Sequence, residues 1–149
     1  MSNETQIRKF LIATHGNFAN GIRSALELII GPVENLFTIE AYTHGNKSIE
    51  EDLVRVLKQV SSGEELVIFS DLLGGSVNNQ ILRYALRGNV HIVSGFNLPV
   101  IIEIMLADTA SPVNEVIETA VLRAKDQLVY VNKLIQEKKE NGNDQTNPD

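Results

Sequence analysis

A chain of 149 residues with 43% hydrophobic content suits one domain with its own core. Its 13 Lys plus Arg against 19 Asp plus Glu give a net charge of −6, and no basic run or aromatic-basic interleaving argues for a nucleic-acid partner. The absence of cysteine excludes disulfides, thiolate metal sites and cysteine nucleophiles; the polar start Met1-Ser2-Asn3-Glu4, and the lack of any apolar run near the roughly 20 residues that span a bilayer, make the cytoplasm the expected location.

The first element is the apolar run from Ile7 to Thr14, which reads as a buried strand halted by Gly16. The helix after it places Ile22, Ala25, Leu26 and Ile29 on one stripe and ends at Gly31-Pro32. A second strand spans Leu36 to Tyr42. The helix that follows opens with Ser48 and Glu51 at capping-box spacing, carries Ile49, Leu53, Val56, Leu57 and Val60 inward, and closes at Gly63. Leu66 to Ser70 forms the third strand, and Ser76 is placed to cap a helix bearing Val77, Ile81, Tyr84 and Ala85 that stops by Gly88. Val90 to Ser94 is the fourth strand. Asn97 and Pro99 start a short apolar helix through Leu106, and Ser111-Pro112 starts another with Val113, Val116, Ile117, Ala120 and Val121 inward. The stretch Leu128-Val129-Tyr130-Val131 is β-prone, yet Val121, Ala124, Leu128, Val131 and Ile135 also continue a helical stripe, so periodicity leaves both readings open. Residues 1–135 form the expected domain, and residues 136–149 read as a polar, flexible tail.

Strands alternating with helices predict an α/β fold with a mainly parallel, doubly wound sheet. In the flavodoxin-like order 2-1-3-4 the first and third strands are neighbours, and ligands bind in the crevice at their carboxyl ends. Two motifs map to that crevice. Thr14-His15-Gly16-Asn17 ends strand one, and a neutral imidazole there is a competent nucleophile that needs neither metal nor organic cofactor. Asp71-Leu72-Leu73-Gly74-Gly75-Ser76 ends strand three. Its paired glycines allow close backbone approach, and a helix start beside the Ser76 hydroxyl suits a phosphoryl group, so Gly74, Gly75 and Ser76 are the candidate phosphoryl-binding residues. An ordinary serine-capped turn has the same letters. Asp71 can accept a hydrogen bond from one ring N–H of His15, leaving the other nitrogen's lone pair free and stabilising the positive charge that develops there; otherwise it is a cap. Thr14 either faces the site as a supporting group or turns into the core. His44 sits in a second Thr-His-Gly-Asn copy and reads as a loop residue, while His91 near the start of strand four reads as structural. No second ligand at metal spacing surrounds His15, so no metal site is expected.

Leu11-Ile12-Ala13-Thr14-His15-Gly16, Asp71-Leu72-Leu73-Gly74-Gly75-Ser76 and Gly95-Phe96-Asn97-Leu98-Pro99 together resemble the IIA component of the mannose-family sugar phosphotransferase system, over roughly residues 7–135. The resemblance implies a phosphotransferase in which His15 accepts a phosphoryl group from the phosphocarrier HPr and passes it to the IIB component, with the membrane IIC and IID components acting downstream and peripheral contact with that transporter complex allowed. Asp71 then orients His15 and Ser76 helps hold the phosphoryl group. The chain departs from the best-known pattern at Leu72-Leu73, where some members carry tryptophan, and at Asn17-Phe18, where an aromatic can follow the glycine directly. With no fused IIB domain, a separate IIB partner is expected. The resemblance also implies a homodimer that exchanges a C-terminal strand, matched here by Leu128 to Val131. The alternatives are the phosphotransfer subunit of a dihydroxyacetone kinase, against which the doubled glycine before Ser76 argues, and a non-catalytic module binding a small anion.

Overall fold

The computed structural model describes residues 7–43, 45 and 48–142. Four strands, β1 (Arg8–His15), β2 (Leu36–Ala41), β3 (Glu65–Ser70) and β4 (Val90–Ser94), form one sheet in the order β2-β1-β3-β4, with every pairing parallel. The helices are α1 (Phe18–Ile30), α2 (Glu50–Leu57), α3 (Ser76–Ala85), α4 (Leu98–Leu106), α5 (Val113–Lys125) and α6 (Val131–Gly142). The predicted α/β architecture and strand order are those observed.

The near-continuous apolar strands follow from burial on both faces, because successive side chains point to opposite sides of a sheet. Phe10 and Ile12 of β1 join Val67 and Phe69 of β3 in a core roofed by α1, α4 and α5. Leu11 and Ala13 join Leu66 and Ile68 in the opposite core, roofed by α2 and α3. That parity decides where the two residues ending β1 point. Thr14 belongs to the α1 face, and His15 belongs with Ala13 to the face covered by α3. The β1–β3 register pairs Ala13 with Ser70, so His15 extends past the end of β3 to where Asp71 leaves the sheet.

Local signals explain most helix boundaries and miss a few. Asn97 caps α4 by accepting from the Val100 N–H at 3.0 Å, with Pro99 in the first turn. Ser48 does not complete the expected capping box: its hydroxyl accepts from the Glu50 N–H at 3.1 Å, and the helix ends at Leu57 rather than reaching Val60. Ser76 is not a cap either. Gly75 occupies that position, Ser76 is the first residue of α3, and its hydroxyl is left for other partners.

The C-terminal expectation needs correction for the single chain. Leu128 to Tyr130 lies in no strand or helix, and Val131 enters α6, which runs through the Gln136–Gly142 stretch expected as a flexible tail. A strand requires a neighbour to satisfy its N–H and C=O groups, and among the described residues this segment pairs with none. α5 ends at Lys125 and α6 begins at Val131, so the continuous helical stripe from Val121 to Ile135 does not form either. No residue of α6 is buried.

Candidate active site

The turn after β1 and the turn after β3 bring the predicted residues together. Asp71 Oδ2 accepts two hydrogen bonds from the same residue, from the His15 backbone N–H and from its ring at Nδ1, each at 2.9 Å. A carboxylate can only accept, so the proton of the neutral ring sits on Nδ1 and the lone pair on Nε2. Nε2 faces the Ser76 hydroxyl at 3.3 Å. The pair is graded in exposure, with the His15 side chain 38% exposed and that of Asp71 11%. The imidazole is thus the more accessible member of the pair and the carboxylate the more buried one.

Burial alone pushes the Asp71 carboxyl up, but the hydrogen bonds from the His15 N–H and ring, together with the imidazole's charge, outweigh it and hold the group below the ordinary carboxylate value. Asp71 is therefore ionised at neutral pH and keeps its negative charge against the ring.

The two glycines before Ser76 serve different ends. Gly74 adopts φ of +76°, a left-handed conformation that favours glycine. Gly75 is closely approached: an added Cβ would stand a tight 3.2 Å from Leu72 Cβ and an ordinary 3.8 Å from the His15 ring carbon Cε1. Ser76, the first residue of α3, brings its hydroxyl to 3.3 Å from Nε2, so the imidazole lies near the positive end of that helix.

Thr14 does not join this site. Fully buried, its hydroxyl accepts from the Ala19 N–H at 2.8 Å and so secures the start of α1. His91 reaches Glu65 at 3.3 Å from the second residue of β4 and stands apart from His15. His44 lies outside the described residues. Among the described residues, no cluster of three or more His, Asp or Glu side chains is placed to hold a metal ion, and no helix is long and apolar enough to cross a membrane.

Two residues that sequence reasoning passed over complete the site. Tyr42 leaves the end of β2 and donates its hydroxyl proton to Ser76 Oγ at 2.9 Å, with its ring centroid 5.7 Å from that of His15. Gln80, one turn into α3 from Ser76, holds the Tyr42 hydroxyl at 3.1 Å. The available signal was topological: in the order 2-1-3-4, the end of β2 adjoins the end of β1. Around the rim, Phe18 stacks on Phe96 at 5.6 Å, and Phe18, Leu72 and Leu73 are 50%, 58% and 82% exposed.

A parallel, doubly wound sheet with a carboxylate-paired histidine at its switch point defines a flavodoxin-like α/β domain. Residues 9–121 match the EIIA-man family, the PTS system fructose IIA component, and the chain belongs to that family. Its structure is similar to that of a Klebsiella pneumoniae protein assigned as a phosphoenolpyruvate-dependent sugar phosphotransferase system permease, at 30% identity and a TM-score of 0.82, covering 89% of this chain and 96% of that one. It is also similar to the PTS IIA protein associated with the fucose utilization operon of Streptococcus pneumoniae, at 27% identity and a TM-score of 0.73 over 88% of this chain and 98% of that one. The phosphotransferase system component EIIA of Streptococcus agalactiae matches at 27% identity and a TM-score of 0.72, over 85% and 99%. The chain is thus a component of a sugar phosphotransferase system.

Proposed function

We propose that the protein is a phosphocarrier in which His15 Nε2 accepts a phosphoryl group from HPr and passes it to a IIB component during sugar uptake. The observation that carries this reading is the double hydrogen bond from His15 to Asp71, which puts the ring's lone pair at Nε2, on the side of the Ser76 hydroxyl. In the first transfer the Nε2 lone pair attacks phosphorus, the P–N bond to the donor histidine breaks, and that nitrogen keeps the electron pair. Asp71 offsets the positive charge gained by the ring, while the Ser76 hydroxyl and the N–H groups at the start of α3 receive phosphoryl oxygens, with Gly74 and Gly75 giving them room. The second transfer reverses these roles. The exposed apolar rim of Phe18, Leu72 and Leu73 supports protein donors and acceptors rather than a small-molecule substrate. Such a carrier works in the cytoplasm, next to the membrane components that it serves indirectly.

Incubation with phosphoenolpyruvate and the general phosphocarrier chain, followed by intact-mass measurement and peptide mapping, should show one added phosphoryl group, on the peptide containing His15. An unmodified mass under conditions that charge HPr would overturn the reading.

The same proposal includes a homodimer. Leu128, Val129 and Tyr130 are 86%, 47% and 71% exposed, a contiguous apolar run left largely uncovered among the described residues. Exchange of this stretch between two copies would satisfy both by one symmetric contact. Truncation after Lys125 should dissociate or aggregate the protein in sedimentation, whereas truncation after Lys139 should leave the dimer. A monomeric full chain at micromolar concentration, or an unchanged dimer after truncation at Lys125, would refute the exchange.

A further inference from the structure

Beyond the His15–Asp71 pair, a chain of side chains from α2 to the imidazole has a fixed direction. It begins at a group whose role cannot reverse, the backbone N–H of Ile49, which donates to Gln80 Oε1 at 2.7 Å, supported by the Ser48 hydroxyl at 3.1 Å. With its oxygen so engaged, Gln80 presents its NH₂ to the Tyr42 hydroxyl at 3.1 Å, and this NH₂ also lies 3.3 Å from the Ser76 carbonyl. Tyr42, accepting from Gln80, donates onward to Ser76 Oγ at 2.9 Å. Ser76, accepting from Tyr42, has its own proton left for His15 Nε2 at 3.3 Å. At the far end the Asp71 carboxylate can only accept, which requires the lone pair of the ring at Nε2. The polarity set at the backbone end and the polarity set at the carboxylate end agree at every link.

Tyr42 is held in this relay under backbone strain. Its φ of +65° is uncommon for a non-glycine residue, a conformation kept only where the surroundings enforce it.

We propose that Tyr42 and Gln80 are positioning residues that keep the Ser76 hydroxyl a donor toward the reacting nitrogen. Before transfer, Ser76 donates to Nε2. When Nε2 takes up the phosphoryl group, the same proton turns to a phosphoryl oxygen without reversing any link behind it. Serine is thereby prevented from presenting a lone pair to an incoming anion, which would repel it. The inference rests on the phosphocarrier reading for its consequence in transfer, but the polarity of the relay is measurable without transfer.

The discriminating variant is Gln80→Glu. A carboxylate at that position accepts from both Ile49 N–H and Tyr42 O–H, so Tyr42 can no longer donate to Ser76, Ser76 donates to Tyr42, and Nε2 loses its donor. In the unphosphorylated, ¹⁵N-labelled protein, Gln80→Glu should shift the His15 Nε2 resonance in the direction and by the amount seen for Ser76→Ala, with the Nδ1 resonance unchanged. Tyr42→Phe, which keeps the ring beside His15, should slow transfer from HPr by about three- to tenfold, the worth of one hydrogen bond. It should have no further effect in the Ser76→Ala background, because a residue acting through Ser76 is silent without it. An unmoved Nε2 resonance in Gln80→Glu, or a Tyr42→Phe loss that persists in full beside Ser76→Ala, overturns the relay. If the wild-type chain takes no phosphoryl group, the phosphocarrier reading fails while the resonance shift still decides the polarity.

Discussion

His15→Ala protein should take up no phosphoryl group from phosphoenolpyruvate and the general phosphocarrier chain, while His44→Ala protein labels like wild type. The expected effect is complete, because the variant loses the atom that forms the new bond. His91 is no substitute: its Nε2 is engaged by Glu65 at 3.3 Å, and its place at the start of β4 lies at the other end of the strands from the α3 N-terminus. His44 lies outside the described residues, and only the mass measurement tests its exclusion. The wild-type adduct should be lost in acid and retained in base, as a P–N bond is and a serine phosphoester is not; this separates modification of His15 from modification of Ser76, 3.3 Å away. Full labelling of the His15→Ala protein would remove the histidine from the reaction. The substitution should cost little stability, since the side chain is 38% exposed and its ring bond to Asp71 is backed by a second bond from the backbone.

Why the sequence disclosed so much of this site, and where it stopped, follows from the range of the forces involved. The strands were readable because burial on both faces demands an unbroken apolar run, and Leu11-Ile12-Ala13 and Val67-Ile68-Phe69 each satisfy that within a few residues. His15 and Asp71 were readable because glycine-marked strand ends are local signals, and the order 2-1-3-4 then puts them side by side. Thr14 was undecided only because its facing depends on which parity the sheet assigns to each side; once Ala13 lies under α3, Thr14 must face α1. Tyr42 and Gln80 were not readable from local signals. Their roles depend on a contact between the end of β2 and the second turn of α3, separated by 38 residues, and nothing in either neighbourhood announces it. Ser76 illustrates a subtler miss: its letters suit a cap, but Gly75 takes that place, and the hydroxyl spared from capping becomes available to the imidazole. Leu128 to Val131 stayed ambiguous because a strand there has no partner among the described residues, and single-chain patterning carries no information about a partner outside them.

Asp71→Ala should reduce the rate of transfer by about three to four orders of magnitude, in the range found when an orienting carboxylate is taken from a histidine in hydrolytic triads. Asp71→Asn should be milder here than in such triads, for a reason specific to this geometry. In a triad, asparagine can turn its NH₂ toward the ring and enforce the wrong tautomer. At this site the acceptor that meets the ring also meets the His15 backbone N–H, each at 2.9 Å, and that N–H always demands an oxygen. The amide oxygen is thus held at the Oδ2 position, the Nδ1–H tautomer survives, and only the charge is lost. Since a charge-assisted hydrogen bond is roughly twice as strong as a neutral one, the expected cost is about ten- to a hundredfold in rate. Stability against pH gives an independent check. The Asp71 carboxyl is depressed in the folded protein, so its ionised form contributes stability that is fully present above the unfolded value of about 3.9 and is lost as pH falls through the lower, folded value. The difference in unfolding free energy between wild type and Asp71→Asn should therefore narrow as pH falls below about 5, where the wild-type carboxyl takes up its proton. Equal rates for the Asn and Ala variants would show that the charge, and not the orientation, carries Asp71's effect; wild-type rates in both would reduce it to a turn residue.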